Sequence, residues 1–540
     1  MKFNYKSFVI YFTITLLLFA LIAFYTDNYK DFYISDNEAK GGAEQIIGLV
    51  AESGLSSEDT KKIDDFVREQ MGYGKIPGLS IVIVSGNEIL YSNEYGYADK
   101  KTKRVVTADT LFELGSNSDA FTALGILLLE EQGLINISDS VQSYIPWFEV
   151  SCKKKSDNSA IEFIKKFIPN YSEEKVDITI EQLLNHTSGI PYKTFFKNPI
   201  GSENMSLDNK VQKIVLDYYP GDRYQYASVN YDVLGLIIQN ITGQTPERFI
   251  KENILKPLAL NNTCLNKEAT YVISKGYKIG FGVPIEFNTS IYRGNTSAEH
   301  FLTNSNDMAR WVMLQLGTVQ TNTILDKLIK KSHQIETAQR NSYYQNGWEI
   351  NRGSTWIDIF NSGNNPNYSS YIAFRPQDNL GIAVLSNMNS EYIDVIGIEL
   401  MNFINGRGRT PELLYDSNID MDNICMIVIA IGIFFIVLSI RNLFQKPDRN
   451  HIIKKKCRFK HRITKVFPVF IYSILFYCLP TVFFNNWSFI LEWAPISLPI
   501  ACFTIYISVV IFHYQYRKKL SWKRIKNLMR YFSRFLKNEM

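Results

Sequence analysis

Apolar residues form short strand-like segments in two widely separated regions of the chain. Each region has a pair of such segments flanking a short polar stretch, and the first of these stretches contains Gly86 and Asn87, a pair typical of a hairpin turn. The four segments are 78–85, 88–96, 369–375 and 381–387. The pattern therefore predicts one sheet that is assembled from both ends of a domain.

The region between these hairpins is dominated by helical spacing of apolar residues. The predicted helices are 121–132, 180–184, 231–241, 246–253 and 305–316, preceded by a helix around 64–70. The fold class predicted is thus α/β (α+β), with a mostly antiparallel sheet, flanking helices and a separate helical region.

Four longer apolar runs have the length of membrane spans. They are 8–25, 424–440, 466–484 and about 496–512, each close to the roughly 20 residues that cross a bilayer. The first follows two lysines and has no clear small-residue cleavage site, which favours an uncleaved signal anchor over a cleaved signal peptide. The sequence thus predicts a multi-pass membrane protein.

The basic residues are concentrated beside these runs. Residues 441–465 carry ten Lys or Arg and one acid, and residues 517–540 carry nine Lys or Arg and one acid. The rest of the chain is acidic, so the formal net charge of +5 indicates a membrane partner rather than nucleic acid. The positive-inside rule then places the main domain outside the cell. The predicted segments are a signal anchor (1–26), a linker (27–60), an extracellular domain (61–410), three spans with a basic cytoplasmic loop (423–516) and a basic cytoplasmic tail (517–540).

Cysteine and histidine give no indication of a cofactor. The six cysteines show neither metal-ligand spacing nor a disulfide framework. No cofactor and no metal are therefore expected, and the sequence makes no prediction of the oligomeric state.

Candidate chemistry begins at LFELGSNSDAFTALG, residues 111–125. Ser116 follows a strand-like segment and a glycine, and precedes a long apolar helix. The unpaired N–H groups of a helix N-terminus favour a developing oxyanion there. The alternative is that Ser116 only caps the helix.

Further motifs give the chain a resemblance to a known family. In chain order they include IPGLSIVIVSGNEILYSNEYGYAD (76–99), ITIEQLLNHTSGIPY (178–192), PGDRYQYASVNYDVLGLIIQNITG (220–243), SNDMARW (305–311), NGW (346–348) and NSGNNPNYSSYIAF (361–374). Together with 110–125, the sequence resembles the serine beta-lactamase-related family, the class C beta-lactamase, D-aminopeptidase and esterase group. The resemblance implies a serine beta-lactamase/D-peptidase fold, with the catalytic site in a cleft between the sheet and the helical region.

The resemblance also implies roles for individual residues. Ser116 aligns with the acylating nucleophile, and Tyr226 with the tyrosine that acts as a second base or acid, although Tyr226 has the alternative of being a core aromatic. Ser228 replaces the usual asparagine. Asn361 stands where the family has Lys or His, and Gly363 lets that strand approach a ligand. The resemblance thus implies a substrate-binding or oxyanion role for four residues, Ser228, Asn361, Gly363 and Asn364. The N–H groups of Ser116 and Asn364 are the expected oxyanion donors.

One position departs from the family pattern. Asp119 occupies the place of the motif lysine, which takes the serine proton and lowers the pKa of the tyrosine. A carboxylate has the opposite effect on that pKa. Asp119 can be a base only if burial raises its own pKa towards neutrality. His186, in the NHTSG stretch, is interpreted as a structural turn residue.

Two hypotheses follow. The first is a membrane-anchored extracellular serine hydrolase acting on D-amino-acid amides, peptides or esters, with activity weakened or lost at Asp119. The three-span tail is similar to that of the colibactin- and zwittermicin-type prodrug-activating peptidases, which keep the lysine. The second is a pseudoenzyme that binds or senses a cell-wall fragment or a peptide antibiotic. The expected partners are the membrane and a small peptide, acyl-D-amino-acid or cell-wall-derived ligand.

Overall fold

The computed structural model describes thirteen stretches of the chain. They are 54–153, 173–192, 194, 213–265, 272–289, 299–321, 323–334, 342–352, 357–406, 416–444, 472–474, 476–478 and 487–519. The predicted signal anchor, most of the linker and most of the span at 466–484 lie outside the described residues. The described residues divide into a sheet unit (54–279 and 283–416) and a helical unit (280–282 and 417–519).

The longest strands lie at the two ends of the sheet unit, and the strands between them are short. In chain order they are β1 Gly78–Ser85, β2 Glu88–Asp99, β3 Arg104–Val105, β4 Phe112–Glu113, β5 Glu149–Lys153, β6 Glu173–Val176, β7 Lys213–Leu216, β8 Tyr277–Gly280, β9 Val283–Glu286, β10 Leu302–Thr303, β11 Ser342–Gln345, β12 Trp348–Arg352, β13 Ile357–Asn365, β14 Tyr368–Arg375 and β15 Leu380–Ser386.

The helices fall into the same two units. They are α1 Ser57–Gly74, α2 Asp119–Glu131, α3 Ile180–Leu184, α4 Val229–Thr242, α5 Pro246–Ile250, α6 Ser305–Leu316, α7 Ile324–Ser332, α8 Tyr392–Ile404, α9 Ser417–Phe444, α10 Trp487–Trp493 and α11 Ser497–Lys519. Short 3-10 turns at Gly115–Ser118, Val141–Ser143 and Pro376–Asp378, and a π-helical turn at Lys251–Leu255, connect them.

The main sheet joins the two ends of the sheet unit. Its strand order is β11-β12-β13-β14-β15-β1-β2-β3, and the neighbouring strands are antiparallel. Strand β1 pairs with β15, so that Leu79 lies opposite Ser386. This arrangement confirms the predicted sheet built from both hairpins.

The central strands need cover on both faces because they are apolar throughout. All residues of β14 and β15, and all but the last of β1, are buried. Helix α8 packs on one face and α6 on the other. On the α6 face the Trp311 ring lies 4.4 Å from that of Phe121 in α2 and 6.3 Å from that of Trp348 in β12. This aromatic contact fixes the start of the helical region against the sheet.

Local signals explain where the predicted helices begin and end. Thr179 and Gln182 form a capping box at the start of α3. The Asn304 side chain accepts a hydrogen bond from the Asp307 N–H at the start of α6, and Gly317 ends that helix with a positive φ of 74°. Both helices have the predicted bounds.

The helical unit is formed by α9, α10 and α11. Its core contains Cys425 and Val428 of α9 packed with Leu498 and Cys502 of α11. Much of the rest of α9 is apolar and exposed, including Phe434 at 59%. Within the described residues one helix, Ser417–Arg441, is long and apolar enough to span a membrane, and Ser497–Ile511 is a shorter apolar helix. The predicted four spans and their orientation therefore remain predictions.

Candidate active site

Ser116 lies where β4 turns into α2. The chain passes from β4 through the 3-10 turn Gly115–Ser118 into α2, whose first residue is Asp119. Ser116 is half-buried, and its Oγ lies 2.7 Å from the hydroxyl of Tyr226. Among the described residues this is the hydrogen-bond partner of the Ser116 hydroxyl, so its side chain does not cap the helix.

Strand β13 lies directly against this turn. A Cβ atom on Gly363 would lie 1.8 Å from the carbonyl oxygen of Leu114, and one on Gly115, whose φ is +57°, would lie 2.5 Å from the backbone nitrogen of Asn364. Both positions therefore require glycine. The consequence is that the backbone of Asn364 is held next to Ser116, where two N–H groups can serve one oxyanion.

Neighbouring side chains hold the strand and the turn together. The Ser370 hydroxyl of β14 donates to the Leu114 carbonyl at 2.6 Å, and the Asn117 amide donates to Ser370 Oγ at 2.8 Å. These groups are buried. Moving β13 and β14 away from the serine turn would leave these polar atoms unpaired in the core. The free-energy cost of that loss keeps the strands close to the turn.

Asn361 turns its amide towards backbone carbonyls. Its Nδ2 donates to the Ser116 carbonyl at 3.0 Å and to the Gly347 carbonyl at 3.0 Å. The side chain is 2% exposed. It therefore braces the serine turn, and the substrate contact predicted for it remains a prediction.

Tyr226 lies in the segment before α4, beside the nucleophile. Besides Ser116, it forms a side-chain hydrogen bond with Ser228. Burial raises the pKa of Tyr226 well above its ordinary value of 10.0, and the carboxyls of Asp119 and Glu299 raise it further. Tyr226 is therefore a neutral phenol at neutral pH and does not act as a base.

Asp119 is fully buried on the first turn of α2. The hydroxyl of Tyr344 donates to its Oδ2 at 2.9 Å, while Oδ1 has no hydrogen-bond partner among the residues the structure describes. Burial raises the pKa of Asp119 well above its ordinary value of 3.8, with Glu299 and Asp232 adding to the effect and the Tyr344 bond opposing it. No described Lys or Arg pairs with Asp119, so the Tyr344 hydrogen bond is the contact that favours its charged form.

Two residues of this site were not assigned to it from the sequence. Tyr344, in β11, holds the carboxyl of Asp119. His186 is buried, and its Nε2 lies 3.8 Å from Asp119 Oδ2. The motif NGW begins two residues after Tyr344, which is the one signal that could have pointed to it. The sequence around His186, in the turn after α3, did not indicate that this residue lies beside Asp119.

The site brings the Ser116 and Tyr226 hydroxyls together beside the close contact of Gly115 with the backbone of Asn364, and burial shifts the pKa values of the surrounding side chains. Burial lowers the pKa of His186 to about 3, so this ring is neutral as well. In the described residues no group of three or more His, Cys, Asp or Glu has the arrangement of a metal site.

Comparison with known proteins gives the family. The profile described as Beta-lactamase matches residues 63–395, more than half of the chain. This chain belongs to the beta-lactamase family. The serine turn, Tyr226 and β13 all lie within the matched region.

Relatives of this beta-lactamase family member extend the comparison. The chain is similar to Protein flp of Staphylococcus aureus (strain MRSA252), with 29% identity over 472 residues, covering 84% of this chain and 89% of that protein. The similarity to flp therefore continues beyond the beta-lactamase region.

Solved structures share the fold. The octameric penicillin-binding protein homologue from Pyrococcus abyssi has a TM-score of 0.53 at 23% identity, covering 68% of this chain and 81% of its own. A class C beta-lactamase has a TM-score of 0.53 at 20% identity, covering 65% of this chain and 98% of its own. At these identities the similarity supports the fold alone.

Proposed function

We propose that this beta-lactamase family member is a membrane-anchored extracellular protein that binds D-amino-acid amides, peptides or esters in the Ser116 cleft and hydrolyses them slowly or not at all. The observation that carries the proposal is the 2.7 Å hydrogen bond between Ser116 and a neutral Tyr226, together with a buried Asp119 whose described hydrogen bond comes from Tyr344 and not from a cation. The match of residues 63–395 to the profile described as Beta-lactamase supports a ligand of the penicillin type.

The size of the expected defect follows from general-base catalysis. A positioned base contributes about 10²–10⁴-fold to such a reaction. Tyr226 is a neutral phenol at neutral pH, His186 is a neutral imidazole that burial makes a weak base, and burial shifts Asp119 towards its protonated form. Binding does not need the base, because the strand β13 and the serine turn present their N–H groups regardless of protonation.

A second candidate, a hydrolase with altered base chemistry, has one specific observation in its favour. The pKa of Asp119 is shifted upwards from 3.8 by burial, and a general base works best when its pKa is close to the working pH. In that case the rate of hydrolysis rises as pH increases through the pKa of Asp119. The first candidate predicts no such rise.

One experiment separates the two candidates. The full chain and its Ser116→Ala variant are purified in detergent. Binding of a fluorescent penicillin is followed by anisotropy, and product is followed by chromatography. Both are measured over about four pH units around neutrality. We expect binding in both proteins and little product at any pH. Product that appears only with Ser116 and increases with pH would establish the second candidate, and no binding in either protein would contradict both.

The membrane placement needs its own test. The proposal combines an apolar α9, at Ser417–Arg441, with the basic segments on its cytoplasmic side. A fluorescent protein fused after residue 540 folds only in the cytoplasm and should therefore fluoresce, whereas a secreted phosphatase fused there should be inactive. The reverse result would place the sheet unit inside the cell.

A further inference from the structure

His186 has an unfavourable backbone conformation for a buried side chain. Its φ is +51°, in the left-handed region, and its side chain is 0% exposed. Such a conformation is strained for a residue other than glycine and persists only where surrounding contacts require it. The contacts of His186 therefore need an explanation beyond a simple turn.

Those contacts bracket Tyr226 from both sides. The N–H of Gln225 donates to the His186 carbonyl at 2.8 Å, and the N–H of Ala227 donates to His186 Nδ1 at 3.3 Å. One residue thus binds the backbone immediately before and immediately after Tyr226. The His186 and Tyr226 ring centroids are 4.4 Å apart, so the ring is also in contact with the tyrosine.

A second side chain fixes the orientation of the imidazole. The Ser188 hydroxyl donates to Asn230 Oδ1 at 2.7 Å, which leaves the Asn230 amide nitrogen to face His186 Nδ1, also at 2.7 Å. Because Ala227 N–H and Asn230 Nδ2 are both donors, Nδ1 is an acceptor and the neutral ring carries its proton on Nε2. That proton is directed to the side of Asp119, whose Oδ2 is 3.8 Å away.

We infer that His186 is the positioning residue for Tyr226: it holds the two backbone groups that flank the tyrosine and thereby keeps its hydroxyl on Ser116. The inference rests on the proposed Ser116 site, but its test requires no turnover. It also explains why a strained, buried histidine is present in a segment that the sequence alone marks as a turn.

The test uses two variants that each keep one half of the imidazole. His186→Asn retains an acceptor near the position of Nδ1 and tolerates a positive φ. His186→Gln retains polar atoms near Nε2 but withdraws the acceptor from Ala227. Both are made in the full chain with 3-fluorotyrosine incorporated in place of Tyr226, and the ¹⁹F NMR line of that residue is recorded. Thermal unfolding of each variant checks that the fold is intact.

A positioning role predicts different results for the two variants. Both variants lose the ring 4.4 Å from Tyr226 and share the shift that this loss causes. His186→Gln should move the line further than His186→Asn does, towards the value of free fluorotyrosine. Equal shifts, or no shift in either, would overturn the inference without affecting the ligand-binding test of the proposed function. If His186→Gln does not fold, Asn230→Ala removes the amide that faces His186 Nδ1, together with the acceptor of the Ser188 hydroxyl. Ser188→Ala is its control, because it removes that hydroxyl and keeps the amide. A line moved by Asn230→Ala and not by Ser188→Ala supports the inference, and an unchanged line or equal shifts overturn it.

Discussion

The cleft has two sides that are built in different ways. The strand wall consists of β13 at Gly363 and Asn364 against the serine turn, and it acts through backbone N–H groups. The floor consists of Asp119, Tyr344 and His186, and it acts through side-chain charge and hydrogen bonding. The close contacts of the strand wall therefore depend on two glycines, whereas the floor depends on the ionisation of a buried acid.

The physical reason lies in what each side depends on. A backbone N–H group is available whatever side chain its residue carries. The close contact of the wall therefore requires only that Gly115 and Gly363 remain glycine. A proton acceptor depends on the charge of particular side chains. Loss of one lysine-type cation can therefore abolish the chemistry of the floor and leave a pocket that still binds.

The largest effect should follow from restoring a cation to the floor. Asp119→Lys supplies a base next to Ser116 and reverses the effect of this position on the pKa of Tyr226, so labelling of Ser116 by a fluorophosphonate should accelerate by about 10²–10⁴-fold. Asp119→Asn is the matched control because it removes the acid without adding a cation. Equal labelling of the two variants would mean that the strand wall is also defective.

The strand wall can be broken separately. Gly363→Ala places a methyl group 1.8 Å from the Leu114 carbonyl, which should displace β13, cost about 1–3 kcal/mol of stability and weaken binding of a fluorescent penicillin by about tenfold or more. Gly72→Ala, in α1 with open space around it, is the control and should stabilise by about 0.5–1 kcal/mol. Unchanged binding in Gly363→Ala would refute the role given to β13.

Tyr344 tests whether the floor is held by its hydrogen bond to Asp119. Tyr344→Phe removes the donor to a buried oxygen, which should lower the free energy of unfolding by about 1–3 kcal/mol. Tyr97→Phe, at an exposed position of β2, should change it by less than about 0.5 kcal/mol. Urea unfolding measures both, and similar losses in the two variants would contradict the specific role of Tyr344.

The smallest effect is a pH dependence of stability. Burial raises the pKa of Asp119 in the folded state above 3.8, so the folded protein holds the proton more tightly. The contribution of the Asp119 proton to the free energy of unfolding is fully present below pH 3.8. It is lost as pH rises through the folded pKa, by about 1.4 kcal/mol per pH unit. Asp119→Asn should therefore gain stability relative to the parent as pH increases from 4. A constant difference would mean that Asp119 is not a buried neutral acid.

Much of the fold follows from local signals in the sequence. The hairpin β1–β2, the pair β14–β15 and the helices α3 and α6 were predicted because apolar period, turn residues and caps agree there. Strands β11 and β12 were not predicted. Their sequence mixes tyrosine, polar and charged residues, for example Tyr343 and Glu349, and their position is set by pairing along the sheet.

The site shows a similar limit. The sequence indicated Ser116, Tyr226 and the strand at Asn361, and the structure brings these three together. It could not indicate that Tyr344 donates to Asp119, because the two residues are 225 positions apart and no periodicity links them. It also could not indicate that His186 brackets Tyr226, since that depends on a left-handed backbone conformation which histidine only rarely adopts.

The most direct test of the account is the reactivity of Ser116 at neutral pH. The full chain, Ser116→Ala and Asp119→Lys are exposed to a fluorophosphonate probe and to a fluorescent penicillin, and covalent labelling is followed with time. A cleft with an intact strand wall and no base predicts little labelling of the parent, none of Ser116→Ala and clear labelling of Asp119→Lys. Rapid labelling of the parent that is lost in Ser116→Ala would show that Ser116 is still activated, and would contradict the account.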